Sequence, residues 1–239
     1  MGQAITKPKL LLVEGNDEVN FFSALMTELN LENVQVRDVG GKSKFRTRLK
    51  AVKVDQGYKT VISVGIVGDA DENPNGAFDN ICGALQSAGL PSPMAPLQSV
   101  AKDGLQVIVM ILPDGKTPGM LEDLCLESVK ETPAMLCVDE YFQCLGERLE
   151  QLPGNLAKAR MRAFLASMEW LQGAHFEYLQ KHLGEYLPDL PKAPSAAQVH
   201  AFLASRYKPN LNLGVAAQAG YWPFDHRAFA QAKQFLQML

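Results

Sequence analysis

A chain of 239 residues, 47% hydrophobic and 21% charged, has the composition of a folded globular protein, with length for one elaborated domain or two small ones. Its 23 Lys and Arg against 26 Asp and Glu leave a net charge of −3, which excludes a whole-molecule basic field, so any polyanion contact has to be local. No apolar run approaches the roughly 18 to 20 residues of a membrane span, and charges such as Lys7, Glu14 and Asp17 stand where a signal peptide would be apolar.

The reading is therefore a soluble, cytoplasmic protein with no membrane partner. Met1 to Thr6 formally fits an N-myristoylation pattern, but one short enough to arise by chance. The four cysteines, Cys82, Cys125, Cys137 and Cys144, form no CxxC pair, and buried free thiols are expected.

In chain order, Lys9 to Glu14 (KLLLVE) reads as a strand ending in a carboxylate, with Gly15 as a turn and Asp17 capping a helix from Glu18 to about Asn30. Val34 to Val39 is a second strand, Gly40-Gly41 a turn, and Ser43 to Val54 a helix with Phe45, Leu49 and Val52 on one face. Thr60 to Gly68 (TVISVGIVG) has the continuous β-branched character of a strand buried on both faces, followed by a helix to about Ala88. Gln106 to Leu112 (QVIVMIL) repeats that signature. Strands alternating with helices imply a mostly parallel α/β sheet with helices on both faces, because parallel strands need crossover connections.

Beyond Gly119 the strand signal ends. Leu121, Leu124 and Leu126 open a helical run, and Met161, Phe164, Leu165, Met168 and Leu171 continue it. Leu187 to Pro194 reads as a connector before a helix near Ser195, and a last helix starts near Asp225. The expected organisation is an α/β domain over 1–130 and a helical region over 131–239 packed on it.

In open α/β sheets ligands gather beyond the carboxyl ends of the strands, and here those ends are acidic. Glu14 ends the first strand, and Asp69-Ala70-Asp71 leaves the third. Side-chain alternation would set both aspartates on one side, and carboxylates held together favour a hard cation, Mg²⁺ or Mn²⁺. The plainer reading has Asp69 and Asp71 capping the next helix. Glu122 and Asp123 either favour a helix N-terminus or offer a second metal position.

Gly41-Lys42-Ser43 and Gly115-Lys116-Thr117 imitate phosphate loops, but the earlier glycine of a Walker A motif is replaced by Val36 and Met110, so ATP hydrolysis by this chain alone is disfavoured. Gly40 and Gly41 could still approach a phosphate. From Lys42 to Lys53 six of twelve residues are basic, and Lys42, Arg46, Lys50 and Lys53 recur at helical spacing. Beside the acids that stripe would favour nucleic acid; on the opposite face it is solvated surface. Lys158, Arg160 and Arg162 read as surface. His175 and His182 could share a helix face but make no zinc pattern with cysteine, and no nucleophile elbow appears.

LLLVEGNDEVNFF, VGGKSKF and VGIVGDADENP, taken in order, resemble a Toprim domain. With LPDGKTPGMLEDLCLESV and FDHRAFAQAKQFL they are similar to a family of small stand-alone Toprim-like proteins related to the nuclease domain of the overcoming-lysogenization-defect family. The resemblance implies a Toprim/Rossmann-like fold and Mg²⁺-dependent phosphoryl transfer, as in a nuclease acting on DNA or RNA. It casts Glu14 as acid/base or metal ligand, Asp69 and Asp71 as metal ligands, and Glu122 and Asp123 as a second site. The chain has no tyrosine-bearing, zinc or ATPase partner domain, so a separate protein partner is one expectation. The alternatives are a non-catalytic metal- or nucleotide-binding module and, less favoured, a haloacid-dehalogenase-like phosphatase, for which Asn73 and the third-strand position are wrong.

Overall fold

The computed structural model describes residues 4–167 and 212–239. Within them β1 (Lys9–Val13), β2 (Val34–Asp38), β3 (Ser63–Asp69), β4 (Ser99–Lys102) and β5 (Leu105–Leu112) form one sheet in the order β2-β1-β3-β5-β4. β1 pairs in parallel with β2 and β3, and β3 with β5. The helices are α1 (Asn16–Glu28), α2 (Phe45–Val52), α3 (Pro74–Ser87), α4 (Leu121–Val129), α5 (Pro133–Arg148), α6 (Leu156–Ser167), α7 (Leu213–Gln218) and α8 (Ala230–Met238). Gly2, Met168, Leu171, His175, His182, the connector at 187–194 and the helix expected near Ser195 lie outside the described residues.

The continuous apolar runs are explained by two covered faces. Leu11, Val13, Val67, Ile108 and Met110 join one core with residues of α1, α4 and the later helices. Their neighbours Leu10, Leu12, Val64, Ile66 and Val109 join a second core with α2 and α3. Period-two alternation therefore feeds a helical layer on each side of a mostly parallel sheet.

Several expectations need correcting. β4 escaped the sequence reading; it pairs antiparallel with β5 through Asp103 and Gly104, both at positive φ, 54° and 79°. Its side chains are largely exposed because it is an edge strand, so it lacks an apolar run. β3 starts at Ser63, since Tyr58–Thr60 is taken up in a 3₁₀ turn. Asp17 does not cap α1, whose N-cap is Gly15; its Oδ1 instead accepts a hydrogen bond from Gly214 N at 3.2 Å, tying α7 to α1. Cys82 and Cys125 are buried free thiols, whereas Cys137 and Cys144 are exposed. Two helical turns apart, they share the outer face of α5, whose inner face is Met135, Val138 and Phe142.

Helix α8 reaches the sheet at a glycine. A Cβ on Gly65 would fall 2.8 Å from Leu239 Cδ2 and 2.9 Å from Phe235 Cζ, so only a bare Cα lets the helix lie this close. Gln106 Nε2 then donates to Met238 O at 2.7 Å, satisfying a carbonyl at the end of α8. Residues after 130 such as Met135, Phe164 and Phe235 thus share one core with Leu11 and Val67. Among the described residues no helix is long and apolar enough to cross a membrane.

Candidate functional site

From β1 the chain runs to β2 on one side and then returns to β3 on the other, so the carboxyl ends of β1 and β3 flank the point where the strand order reverses. Glu14 directly follows β1, and Asp69 is the last residue of β3. Glu14 Oε1 accepts a hydrogen bond from Asp69 N at 3.0 Å, which locks the two strand ends together. Asp69 Oδ1 in turn accepts from Leu121 N at 3.1 Å, at the first turn of α4. The capping role weighed for the aspartates goes elsewhere: Asn73 caps α3 by accepting from Gly76 N.

Asp71 breaks the simple alternation. Its φ is 50°, and its backbone forms a two-way bridge with Gly119, N to O at 2.9 and 2.7 Å, that pins this turn to the loop before α4. Its carboxylate meets Lys42 Nζ at 2.6 Å. Lys42 is presented by the Gly40-Gly41 turn, where both glycines hold positive φ and Gly41 N donates to Glu14 O at 2.8 Å.

Electrostatics single out Asp69. Burial, reinforced by the neighbouring charges of Glu14, Glu18, Glu122 and Asp71, pushes its carboxyl up to about 8. Burial also raises Glu14, against the opposing effects of the Asp69 N–H and Lys42, and raises Glu18 and Glu122. Lys158 approaches Glu122 at 3.7 Å. Several carboxylates therefore share a partly dry space with little positive charge, and the donors are all oxygen. That set fits a hard divalent cation. Among the described residues, no three His, Cys, Asp or Glu side chains converge tightly enough to hold an ion as they stand; Asp69 N–H, Leu121 N–H and Lys42 engage one oxygen each of Glu14, Asp69 and Asp71.

In the sequence Glu18 read only as the start of a helix, not as a site residue. It lies one helical turn beyond Glu14, and its Oε2 accepts from Gly15 N at 3.0 Å. The Glu14-x-x-x-Glu18 spacing was the available signal, masked because a glutamate there is also ordinary helix capping. Glu122 and Asp123 separate. Glu122 acts electrostatically on Asp69, whereas Asp123 Oδ2 accepts from Met120 N at 2.9 Å and caps α4.

Two hollows meet at Lys42. One, of about 640 Å³, is lined by Asp71, Asn73, Asn80 and Asn155; the other, of about 460 Å³, lies between α2 and α3 and is lined by Glu14, Asp69, Arg46 and Asn80. Lys42 and Arg46 thus flank the acids. Lys50 is exposed farther along α2, while Lys53 Nζ donates to Ala88 O at 2.7 Å and caps α3. The Gly115-Lys116-Thr117 imitation is a turn, with Asp114 Oδ1 accepting from Lys116 N and Thr117 N at 2.9 and 2.7 Å. Arg160 pairs with Asp139, tying α6 to α5, and Arg162 is exposed.

Residues 8–188 match the family model described as Protein of unknown function (DUF3226). The chain belongs to this family. No curated protein matches the DUF3226 chain. Similar solved structures include the C-terminal region of the Burkholderia pseudomallei OLD protein, 12% identical with a TM-score of 0.42, covering 98% of each chain. The C-terminal region of the Xanthomonas campestris pv. campestris OLD protein, in its platinum-phased form, is 13% identical with a TM-score of 0.38, covering 90% of this chain and 96% of that one.

Proposed function

We propose that the chain is a metal-dependent phosphoryl-transfer protein, a nuclease whose acidic centre is Glu14, Asp69 and Asp71 with Glu18 and Glu122 beside them. The observation that carries this is Asp69, at the switch point of the sheet, with its carboxyl pushed up to about 8 among four other acids. The resemblance of the LLLVEGNDEVNFF and VGIVGDADENP segments to Toprim sequences points the same way.

Asp69, Asp71 and Glu14 are the residues that would hold Mg²⁺ or Mn²⁺, and the bound ion would supply charge neutralisation at a scissile phosphate. Glu14 Oε1 is committed to the Asp69 N–H, which leaves Oε2 to take a proton from an attacking water. Lys42 and Arg46, exposed at the rim of the hollows, would meet phosphate oxygens, with Lys50 one turn beyond Arg46 on α2. The deciding assay incubates protein with supercoiled plasmid, single-stranded DNA and RNA under Mg²⁺ or Mn²⁺, with Asp69→Asn as control. Cleavage lost in the control supports the reading.

A second reading, a binding module without turnover, draws on the Lys42–Asp71 pair, in which a lysine already neutralises one acid. Lys42→Met separates the two. Both side chains are about half exposed, 41% and 47%, so stability should change by less than about 1 kcal/mol. Freeing Asp71 should tighten Mg²⁺ by about 5-fold in calorimetry, since that factor corresponds to about 1 kcal/mol. For a nuclease, cleavage should nonetheless fall at least about 10-fold with loss of the phosphate contact; for a module, only the metal affinity moves.

A further inference from the structure

The hollow between α2 and α3 has a chemistry that phosphate binding does not explain. Phe45, Ile81 and Ala84 line it and are fixed in the core, at 4%, 4% and 2% exposure. Lys42, Ser43 and Arg46 can meet a phosphate at the rim, but one set against these inner walls would lose hydration without gaining donors from them. At its rim stand the Arg46 guanidinium and the Asn80 amide, both exposed, and among the described residues neither has a hydrogen-bond partner. Glu14 and Asp69 lie at the same hollow, where an anion is repelled unless a cation intervenes. Apolar walls, a planar cation and an amide offering both a donor and an acceptor suit a flat heteroaromatic ring.

We propose that this hollow is a nucleobase subsite, in which Asn80 hydrogen-bonds the edge of one base of the substrate while Phe45, Ile81 and Ala84 contact the ring. The assignment rests on the phosphoryl-transfer reading of the neighbouring acids and deepens it. A base can enter a hollow of about 460 Å³ only when out of the double-helical stack, so the substrate class is nucleic acid with an unpaired nucleotide beside the cleaved phosphate.

The test compares thymidine 5′-monophosphate and deoxyadenosine 5′-monophosphate with 2-deoxyribose 5-phosphate, which keeps the sugar and phosphate and lacks the base. Calorimetry with and without Mg²⁺ on the full chain should show at least one nucleotide binding about 10-fold tighter than the base-free compound. Asn80→Ala, an exposed and fold-neutral change, should bring that nucleotide close to the base-free value without altering the affinity for Mg²⁺ alone. Asn80→Trp, which fills the hollow from its rim, should do the same. Equal affinities with and without the base, or variants that bind nucleotide as the wild type does, overturn the subsite. Loss of Mg²⁺ binding in Asp69→Asn tests the acidic centre separately. If Mg²⁺ binds to neither protein, the phosphoryl-transfer reading fails and the metal-free comparison alone decides the hollow.

Discussion

Asp69→Asn should abolish Mg²⁺ binding and lower cleavage by at least about 100-fold while making the metal-free protein more stable above neutral pH. The fold should survive because Asn keeps the Oδ1 acceptor for Leu121 N. The stability gain follows from linkage. The folded-state value of about 8 stands above the ordinary 3.8, so the folded protein binds this proton more tightly than the unfolded chain does. The penalty is absent below about pH 4, grows as pH rises between about 4 and 8, and is complete above that window. Glu14, Glu18 and Glu122, also raised, add to the same slope. Wild-type protein without metal should therefore melt at a lower temperature at pH 8.5 than at pH 5.5, and the variant should show a flatter profile.

Mg²⁺ should stabilise the wild type more at pH 8.5 than at pH 5.5, because ion and proton compete for the same carboxylates. Thermal melts by circular dichroism at the two pH values, with and without Mg²⁺, give all four numbers. Equal slopes for the two proteins would mean that Asp69 is not the strained acid, and an Mg²⁺ effect retained in the variant would move the cation elsewhere.

Legibility in the sequence followed the range of the interactions involved. Glu14 and Asp69 could be read because each ends an apolar run, and the reversal of strand order at β1 and β3 brings those ends together. Glu18 and Glu122 were harder, since both also stand in first turns where acids favour the helix dipole, and only the fold shows them acting on Asp69. β4 could have been found from Asp103-Gly104, a turn dipeptide before an apolar strand, but its exposed side chains carry no periodic signal. Lys53 read as part of a basic stripe, and only the packing of α2 on α3 shows it capping a helix. Asp71 read as aligned with Asp69; the left-handed turn and the Gly119 bridge, set by a loop 48 residues away, determine where it goes instead.

Gly65→Val should destabilise the protein by about 3 kcal/mol, at the upper end of ordinary core overpacking, and lower Tm by about 6 to 12 °C. The first added carbon already falls within 3 Å of Leu239 and Phe235, and the branched methyls meet a core where Phe235 is fully buried. The neighbouring strands fix β3 on both edges, by β1 and β5, so α8 is the element that must retreat. Retreat also breaks the Gln106 bond to Met238 O. Leu239→Ala in the same chain should recover part of the loss, because it removes two of the three closest atoms, Cδ1 and Cδ2. A double-mutant cycle by urea denaturation should therefore give a coupling of about 1 kcal/mol or more in the compensating direction. Additive effects would mean that the strain is relieved within the sheet. In that case Asp69, four residues along the same strand, would shift and Mg²⁺ affinity would fall; with α8 yielding, the folded variant should bind Mg²⁺ as the wild type does.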